Sequence, residues 1–260
     1  LMGHGMAKNM LAAGYRLSVI AHSKRAPIDA LVDQGATEAA TLADLAANSS
    51  IIHICAPGSP QVEAIVAALL PVMQPGTVII DCSTSDPNST VSLTAKLEVR
   101  GFHMADAPLG GTPVQAETGE LSTMIGAPEA IFERIKPVIA AWASAIIHIG
   151  PSGSGHKMKL LNNFLSLGYA ALYSEALALS EKVGISTTQF DSVIRGSRMD
   201  CGFYQTFMGY AVGGNREAHK FTLTNALKDM RYLEAMADGV NLANPIGNAV
   251  KNSFALAHAA

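Results

Sequence analysis

Cysteine and charge are both scarce in this chain of 260 residues. Its three cysteines, Cys55, Cys82 and Cys201, are odd in number and form no Cys-x-x-Cys pair, so we expect neither a disulfide framework nor a metal site. Charged residues make up only 15% of the chain and the net charge is −3, so there is no basic field of the kind that binds nucleic acid. These scarcities exclude nucleic acid as a partner and agree with a reducing, cytoplasmic compartment.

Long apolar runs are missing as well. No stretch approaches the roughly 18 apolar residues that would span a bilayer, and no signal peptide is visible. Hydrophobic residues nevertheless make up 49% of the chain, which is enough for two compact domains or one large one. We therefore predict a protein without a membrane segment and with a sizeable core.

Strand-like and helix-like segments alternate in the first 150 residues. Apolar strand-like runs lie at 17–21, 51–56, 77–82, 102–107 and 145–149, and helical patterns lie at 3–13, 27–35, 41–47, 60–73, 87–100 and 128–141. Only helical patterns follow, at 154–183, 187–195, 202–212, 222–238 and 244–259. We predict an α/β fold, in which a Rossmann-type doubly wound parallel sheet (residues 1–150) precedes an all-α second domain (residues 151–260).

The first residues are typical of the segment that follows the phosphate turn of a dinucleotide fold. Gly3 and Gly5 open a helical pattern that ends at Gly14, before a strand-like run. Glycines in that turn let backbone N–H groups approach a pyrophosphate at a helix N-terminus. The same glycines are also compatible with simple helix–strand packing. In the dinucleotide interpretation the first strand of the sheet would lie upstream of Leu1, so we expect a missing segment there.

The strand-like run at 17–21 ends close to Ser23, Lys24 and Arg25, and no acidic residue follows until Asp29. An acid at this place would accept a hydrogen bond from the ribose 2′-hydroxyl and repel a 2′-phosphate. A serine hydroxyl and basic side chains instead suit a phosphate. The sequence therefore favours NADP as the cofactor, with NAD as the alternative.

Lys159 is the leading candidate for acid–base chemistry. It follows a glycine-rich turn at 153–155 and lies in a long alanine-rich helical pattern. Asn163 is four residues on, so it shares a helix face with Lys159, about 6 Å away along the axis. A lysine held among apolar groups loses its proton more readily than a free one. His148 and His156 rank lower, because a lone histidine is more often structural.

Several motifs occur in order along nearly the whole chain. They are Met2-Gly3, Met6-Ala7-Lys8-Asn9, Asp81-Cys82-Ser83-Thr84, Asp106-Ala107-Pro108, Gly119-x-Leu121, Gly153-x-Gly155-x-x-x-Lys159-x-x-Asn162-Asn163 and Lys228-Asp229. Together they resemble the β-hydroxyacid dehydrogenase family, which includes 3-hydroxyisobutyrate dehydrogenase and tartronate semialdehyde reductase. The resemblance implies a Rossmann domain, an all-α domain and hydride transfer between nicotinamide and a small β-hydroxy acid or semialdehyde bound in the cleft.

The resemblance also implies roles for individual residues. The implied cofactor-binding residues are Gly3 at the pyrophosphate turn, Ser23 and Lys24 at the adenine ribose, Ala56 and Pro57 along the dinucleotide, Thr84 near the nicotinamide ribose, and Lys228, which would close over cofactor and substrate. Ser83 would lie at the reactive end, and Gly110, Gly111 and Thr112 would hold the anionic group of the substrate through backbone N–H groups and a hydroxyl. Lys159 would be the acid/base, and Asn163 would orient the substrate or the lysine.

The substrate loop departs from the pattern of the family. The family commonly has Ser-Gly-Gly where this chain has Gly110, Gly111 and Thr112, so glycine replaces the serine hydroxyl and Thr112 is the substitute donor. Relatives that resemble sulfolactaldehyde reductase carry Gly-Arg-Thr, and Gly111 stands where the arginine would be. Because a sulfonate would lose its bidentate partner, we rank it below a carboxylate.

Two other functions stay open on the sequence alone. One is a catalytically silent dinucleotide-binding module, and the other is an imine reductase. The presence of Lys159 and Asn163 argues against the silent module. Lys159 also argues against an imine reductase, because relatives that reduce imines commonly carry another residue at that position. The long apolar helical pattern at 154–183 predicts burial against another subunit, so we expect a homodimer or homotetramer.

Overall fold

The computed structural model describes residues 2–22 and 24–260, so Ser23 lies outside the described residues. The chain divides into two compact units, residues 1–159 and 160–260. Helices and strands alternate in the first unit, whereas the described residues of the second contain helices and no strand. The predicted fold class is therefore confirmed. The predicted functional boundary at residue 150 stays a prediction.

The first unit contains seven complete helices and eight strands within its described residues. In chain order they are α1 (Met2–Ala12), β1 (Ser18–Val19), α2 (Ala26–Val32), β2 (Thr37–Glu38), α3 (Leu42–Ala47), β3 (Ile51–Ile54), α4 (Ser59–Leu69), β4 (Val78–Asp81), α5 (Pro87–Glu98), β5 (His103–Asp106), β6 (Leu109–Gly110), α6 (Pro113–Thr118), β7 (Leu121–Gly126), α7 (Glu129–Ile139) and β8 (Ala143–Gly150). Every predicted strand and helix of this unit is present. β2, β6, α6 and β7 are elements that the sequence pattern did not reveal.

The main sheet is mixed, with its strands in the order β3-β4-β5-β7-β6 and with β8 paired to β7. β3, β4 and β5 are parallel, and Ile54, Asp81 and Asp106 are register partners. β7 runs antiparallel to β5 and β6 and parallel to β8. The reversal at β7 follows from the short connection through α6, because a parallel crossover needs a dozen or more residues. A separate parallel pair is formed by β1 and β2.

Apolar side chains cover both faces of this sheet. All four residues of β4 are buried, which explains its continuous apolar run. One core cluster surrounds Trp142 and Ile135, and a second surrounds Leu69 and Leu97. The sheet is thus held between two layers of helices.

The second unit is built from long helices. They are α8 (Ser154–Lys182), which begins in the first unit, and then α9 (Thr187–Ile194), α10 (Gly202–Ala211), α11 (Leu223–Asp238) and α12 (Pro245–Ala259). Its core joins α8, α11 and α12 through Leu160, Leu167, Met230, Leu233 and Val250. Within residues 2–22 and 24–260, no helix has both the length and the apolar character needed to cross a bilayer.

Candidate active site

The in-register ends of β3, β4 and β5 bring predicted cofactor residues to one edge of the sheet. Residues 56–57 follow β3 and residues 83–84 follow β4, so both pairs leave the carboxyl edge. The start of α1 lies at this edge too, because a Cβ on Gly3 would be 3.5 Å from Cys55 Cβ. A helix N-terminus at the carboxyl ends of parallel strands is a phosphate-binding arrangement. The residues present therefore fit a dinucleotide.

Ser83 joins the loops that follow β3 and β4. It is buried, and its hydroxyl oxygen accepts a hydrogen bond from the Ala56 N–H at 2.9 Å. Its own N–H donates to Asp81 Oδ1 at 2.9 Å, and Asp81 Oδ2 accepts from the Ser85 hydroxyl at 2.8 Å. These bonds give Ser83 a positioning role, while its contact with substrate stays a prediction. Thr84, the next residue, is half-buried.

The first turn of α8 is held by a buried carboxylate. Asp106 Oδ1 accepts from the Gly153 N–H at 2.5 Å, and Oδ2 accepts from the His156 N–H at 2.7 Å. Burial raises the pKa of Asp106, and the nearby His156 and these N–H groups oppose that rise. A Cβ on Gly126 would lie 2.5 Å from Asp106 Oδ1 and 2.8 Å from the Gly155 nitrogen, so glycine is needed for this close approach. Asp106 therefore accepts hydrogen bonds from the backbone N–H groups of the turn at the start of α8.

His156 ties this turn to the loop after β4. The ring is fully buried, with Nε2 3.1 Å from the Ser83 carbonyl oxygen and Nδ1 2.8 Å from Thr90 Oγ1. Because a carbonyl only accepts, Nε2 carries a proton. Asp81 Oδ2 lies 3.8 Å from Nε2, and Asp106 Oδ2 lies 4.0 Å from Nδ1. Such a buried ring positions its neighbours and has no route to a substrate.

Lys159 and Asn163 lie about one turn apart on α8. Lys159 is half-buried, in contrast to the exposed Lys157. Because Asp106 and His156 anchor the preceding turn, the course of the helix at Lys159 is set by buried hydrogen bonds. The sequence motif placed Lys159 correctly on a helix close to its start, and its chemical role stays a prediction.

Asn163 is fixed by a partner that the sequence did not reveal. Its amide donates to Asp229 Oδ2 at 2.7 Å, and both side chains are buried. Lys228 Nζ lies 2.8 Å from Asp229 Oδ1 and 4.9 Å from the centre of the Tyr232 ring. In the sequence, Asp229 stands out as an acidic residue within the apolar pattern of α11, and this is the signal that could have identified it. Asn163, Asp229 and the half-buried Lys228 form one polar network in the second unit.

Lys228 also lines a basic recess in the second unit. The recess has a volume of about 430 Å³ and lies between α11 and α12. Arg231 and His258 line it together with Thr224 and Tyr232. Cationic side chains around an aromatic ring suit an anionic ligand. The predicted role of Lys228 near cofactor and substrate stays a prediction.

The predicted substrate loop is described in full. Gly110 ends β6, and Gly111 has φ +119°, a backbone conformation that favours glycine. Thr112 is exposed, but its N–H already donates to Gln115 Oε1 at 2.7 Å at the start of α6. Of the two donors of Thr112, only the hydroxyl is therefore left for the anion contact that the sequence predicts.

The predicted ribose site is only partly described. Lys24 is exposed, and Arg25 is bound by two carboxylates. Arg25 Nη1 and Nη2 lie 2.5 Å and 2.7 Å from the Glu38 oxygens, and Nε lies 2.8 Å from Asp29 Oδ1. The hydrogen bonds that Arg25 donates to Glu38, and then those to Asp29, raise the pKa of Arg25. Lys24 is thus better placed than Arg25 to meet a phosphate.

Comparisons with known proteins identify the family of this chain. Residues 1–150 match the NAD binding domain of 6-phosphogluconate dehydrogenase, and residues 153–260 match the NAD-binding domain of NADP-dependent 3-hydroxyisobutyrate dehydrogenase. The 3-sulfolactaldehyde reductase of Escherichia coli K12 is 30% identical over 100% of this chain and 88% of its own length. The 3-hydroxyisobutyrate dehydrogenase of Pseudomonas aeruginosa is 30% identical over 98% of this chain and 88% of its own length.

A solved structure extends the likeness to the fold. The crystal structure of 3-hydroxyisobutyrate dehydrogenase from Salmonella typhimurium is 26% identical, with a TM-score of 0.83 over 99% of this chain and 90% of that one. Sequence and fold thus agree over both units. The chain belongs to the β-hydroxyacid dehydrogenase family, the NAD(P)-dependent oxidoreductases that act on CH–OH groups.

Proposed function

We propose that this protein interconverts a small β-hydroxy acid and its semialdehyde, with Lys159 as the acid/base. The observation that carries the proposal is the anchoring of α8, whose buried Asp106 and His156 contacts fix the helix turn before Lys159. The names of the relatives, 3-sulfolactaldehyde reductase and 3-hydroxyisobutyrate dehydrogenase, support a small anionic substrate. In this proposal residues 1–150 bind the cofactor and residues 151–260 contribute to substrate and subunit contacts.

Each side chain has a limited task in this chemistry. The bound nicotinamide supplies or accepts the hydride. In reduction Lys159 donates a hydrogen bond and then a proton to the carbonyl oxygen, and in oxidation it takes the proton back. Asn163, held by Asp229, orients the substrate or the lysine. Gly110, Gly111 and Thr112 hold the anionic end of the substrate.

The remaining proposals concern the cofactor and the setting. Gly3, Ala56, Pro57, Thr84 and Lys228 would hold the dinucleotide. Lys24, with Ser23, favours NADP over NAD, and the bonds of Arg25 to Glu38 and Asp29 make Lys24 the main cation. Cys55, Cys82 and Cys201 are free thiols, which supports a reducing, cytoplasmic setting.

Steady-state kinetics with a substrate panel test the proposal. The panel contains 3-hydroxyisobutyrate, 3-hydroxypropionate and glycerate, the corresponding semialdehydes and a set of cyclic imines, each with NADP(H) and NAD(H). We expect turnover of at least one hydroxy acid, with the lower KM for NADP. Lys159→Ala should lower kcat by about 10²- to 10⁴-fold, the usual contribution of a positioned acid/base.

Lys157→Ala is the matched control, because Lys157 is an exposed lysine on the same helix. It should keep full activity. A Lys159→Ala variant as active as the wild type would remove the proposed mechanism. Turnover of imines alone would indicate an imine reductase. For the cofactor, a Lys24→Ala variant whose ratio of NADP to NAD affinities equals that of the wild type would show that Lys24 does not determine the preference for NADP.

A further inference from the structure

Ser122 places a hydroxyl at the predicted substrate loop. It lies in β7 directly opposite Gly110 of β6, so the two residues face the same side of the sheet. The side chain is half-buried, and its hydroxyl makes no hydrogen bond to any residue that the structure describes. A serine hydroxyl can donate one hydrogen bond and accept two, so this capacity is left for a ligand.

The Ser122 hydroxyl occupies the space above Gly110. A Cβ built on Gly110 would overlap Ser122 Oγ, closer than any van der Waals contact. The side-chain position that Gly110 leaves vacant is thus filled by a hydroxyl from the opposite strand. Gly111 comes next, and the atoms nearest to its missing Cβ belong to Gln115 and Leu121, both uncharged. The atoms nearest to the two missing Cβ positions are therefore uncharged.

This position lies on the ligand side of the sheet. Gly110 comes four residues after Asp106, the carboxyl end of β5, and ligands bind beyond the carboxyl ends of parallel strands. Ser122 and Gly126 are on one face of β7, because side chains alternate along a strand. A Cβ on Gly126 would be 2.8 Å from the Gly155 nitrogen in the first turn of α8. The face of β7 that carries Ser122 is therefore the face on which the Lys159 helix begins.

We propose that Ser122 binds the substrate, by donating a hydrogen bond from its hydroxyl to the carboxylate at the anionic end of the hydroxy acid. The inference rests on the proposed function and adds a specificity residue to it. Because the donors at this loop are a hydroxyl and backbone N–H groups, the loop suits a singly charged carboxylate better than a more strongly charged group.

The test compares acids with their neutral amides. Wild type, Ser122→Ala and the control Ser144→Ala, an exposed serine in the neighbouring strand β8, are assayed with 3-hydroxyisobutyrate, 3-hydroxypropionate, glycerate and their carboxamides. Loss of a hydrogen bond to a charged group should lower kcat/KM of Ser122→Ala for the acids about 10- to 100-fold, mainly through KM. The carboxamide rates should change less than threefold, and Ser144→Ala should match the wild type.

Transferring the hydroxyl from position 122 on β7 to position 110 on β6 gives an independent test of the proposal. Gly110→Ser in the Ser122→Ala background places a hydroxyl in the same space, so it should recover at least tenfold in kcat/KM for the acid. Gly110→Ser alone should be impaired, because its side chain would overlap Ser122. Equal losses for acids and carboxamides, or no loss, would overturn the role of Ser122 while leaving the proposed function intact. A wild-type enzyme that turns over no hydroxy acid would overturn both.

Discussion

His53 shows how burial makes one histidine sensitive to acid. The ring is half-buried in β3, but its Nε2 atom is fully buried and has no hydrogen-bond partner in the structure, which describes all but two residues. The ring meets Trp142 edge-on, with 6.2 Å between the ring centres. Burial lowers the pKa of His53 from 6.5 to about 4, because the charged form loses its hydration. The folded state is therefore compatible with a neutral His53 ring and is destabilised when the ring is protonated.

This difference predicts a pH dependence of stability. Between pH 6.5 and about 4 the unfolded chain binds a proton at His53 that the folded chain does not, so the free energy of unfolding falls as the pH falls. The loss approaches about 3 kcal/mol at the acid end of this range. His53→Phe should remove this part of the pH dependence. Urea unfolding at pH 7.5, 5.5 and 4.5 measures it.

His22→Gln serves as the control for His53→Phe, since His22 is exposed. Its stability should follow the wild-type curve at all three pH values. A His53→Phe variant that loses stability in acid as steeply as the wild type would show that other groups cause the acid sensitivity.

The approach of α1 to α6 depends on a single glycine. A Cβ on Gly5 would lie 2.5 Å from the Ala116 backbone carbon and oxygen and 2.8 Å from the Glu117 nitrogen. Around this contact Asn9 Nδ2 donates to the Ala116 carbonyl at 2.9 Å, and Lys8 Nζ lies 3.1 Å from Glu117 Oε2. Hydrogen bonds that the Glu117 carboxylate accepts from His4 and then from Lys8 lower the pKa of Glu117. The contact therefore joins α1, the helix of the predicted phosphate turn, to α6, the helix that follows the predicted substrate loop.

Replacing this glycine tests the contact. Because backbone atoms have no room to move aside, Gly5→Ala should lower the free energy of unfolding by about 1–3 kcal/mol. Gly209→Ala is the matched control, since Gly209 lies inside α10 and its Cβ would meet nothing within 4 Å. That change should raise stability by about 0.5–1 kcal/mol. Urea unfolding of both variants should give opposite signs, and the same sign for both would contradict the close packing of α1 on α6.

The elements that the sequence predicted are those whose burial produces a simple pattern. β4 is buried along its whole length and reads as a continuous apolar run. β7 was missed because Ser122 and the buried Thr123 interrupt its apolar residues, although Thr123 satisfies its hydroxyl by donating to the Pro108 carbonyl at 3.1 Å. β2 has only two residues, both exposed, and α6 has six, too few for a helical period.

The residues of the candidate site also divide into those that local sequence patterns predicted and those that they did not. Local spacing was enough to place Lys159 and Asn163 on one helix. The partnership of Asn163 with Asp229 joins residues 66 positions apart, so no local pattern could reveal it. The hydroxyl of Ser122 above Gly110 depends likewise on strand register, which only the folded chain defines.

At the scale of the whole molecule, α8 exposes an apolar face, which favours burial against a second subunit. Apolar side chains recur along the helix at intervals of three, four or seven residues and lie on one face; they are Met158, Leu161, Leu165, Leu172 and Leu179, each between 37% and 63% exposed. The stripe is about 32 Å long at 1.5 Å per residue. An apolar surface of this extent is typical of a protein interface. We propose that a second copy of the chain covers it.

Sedimentation velocity provides the test of this association. The wild type should sediment as a dimer or tetramer, and Leu165→Glu with Leu172→Glu should shift it to a monomer, because two carboxylates on each subunit would be buried at the contact. Val99→Glu is the control, since Val99 is 85% exposed at the end of α5. It should leave the association unchanged, because an isolated exposed valine contributes no contiguous surface. A wild-type protein that stays monomeric at tens of micromolar, or a double variant that associates as the wild type does, would show that this face of α8 is not where the subunits meet.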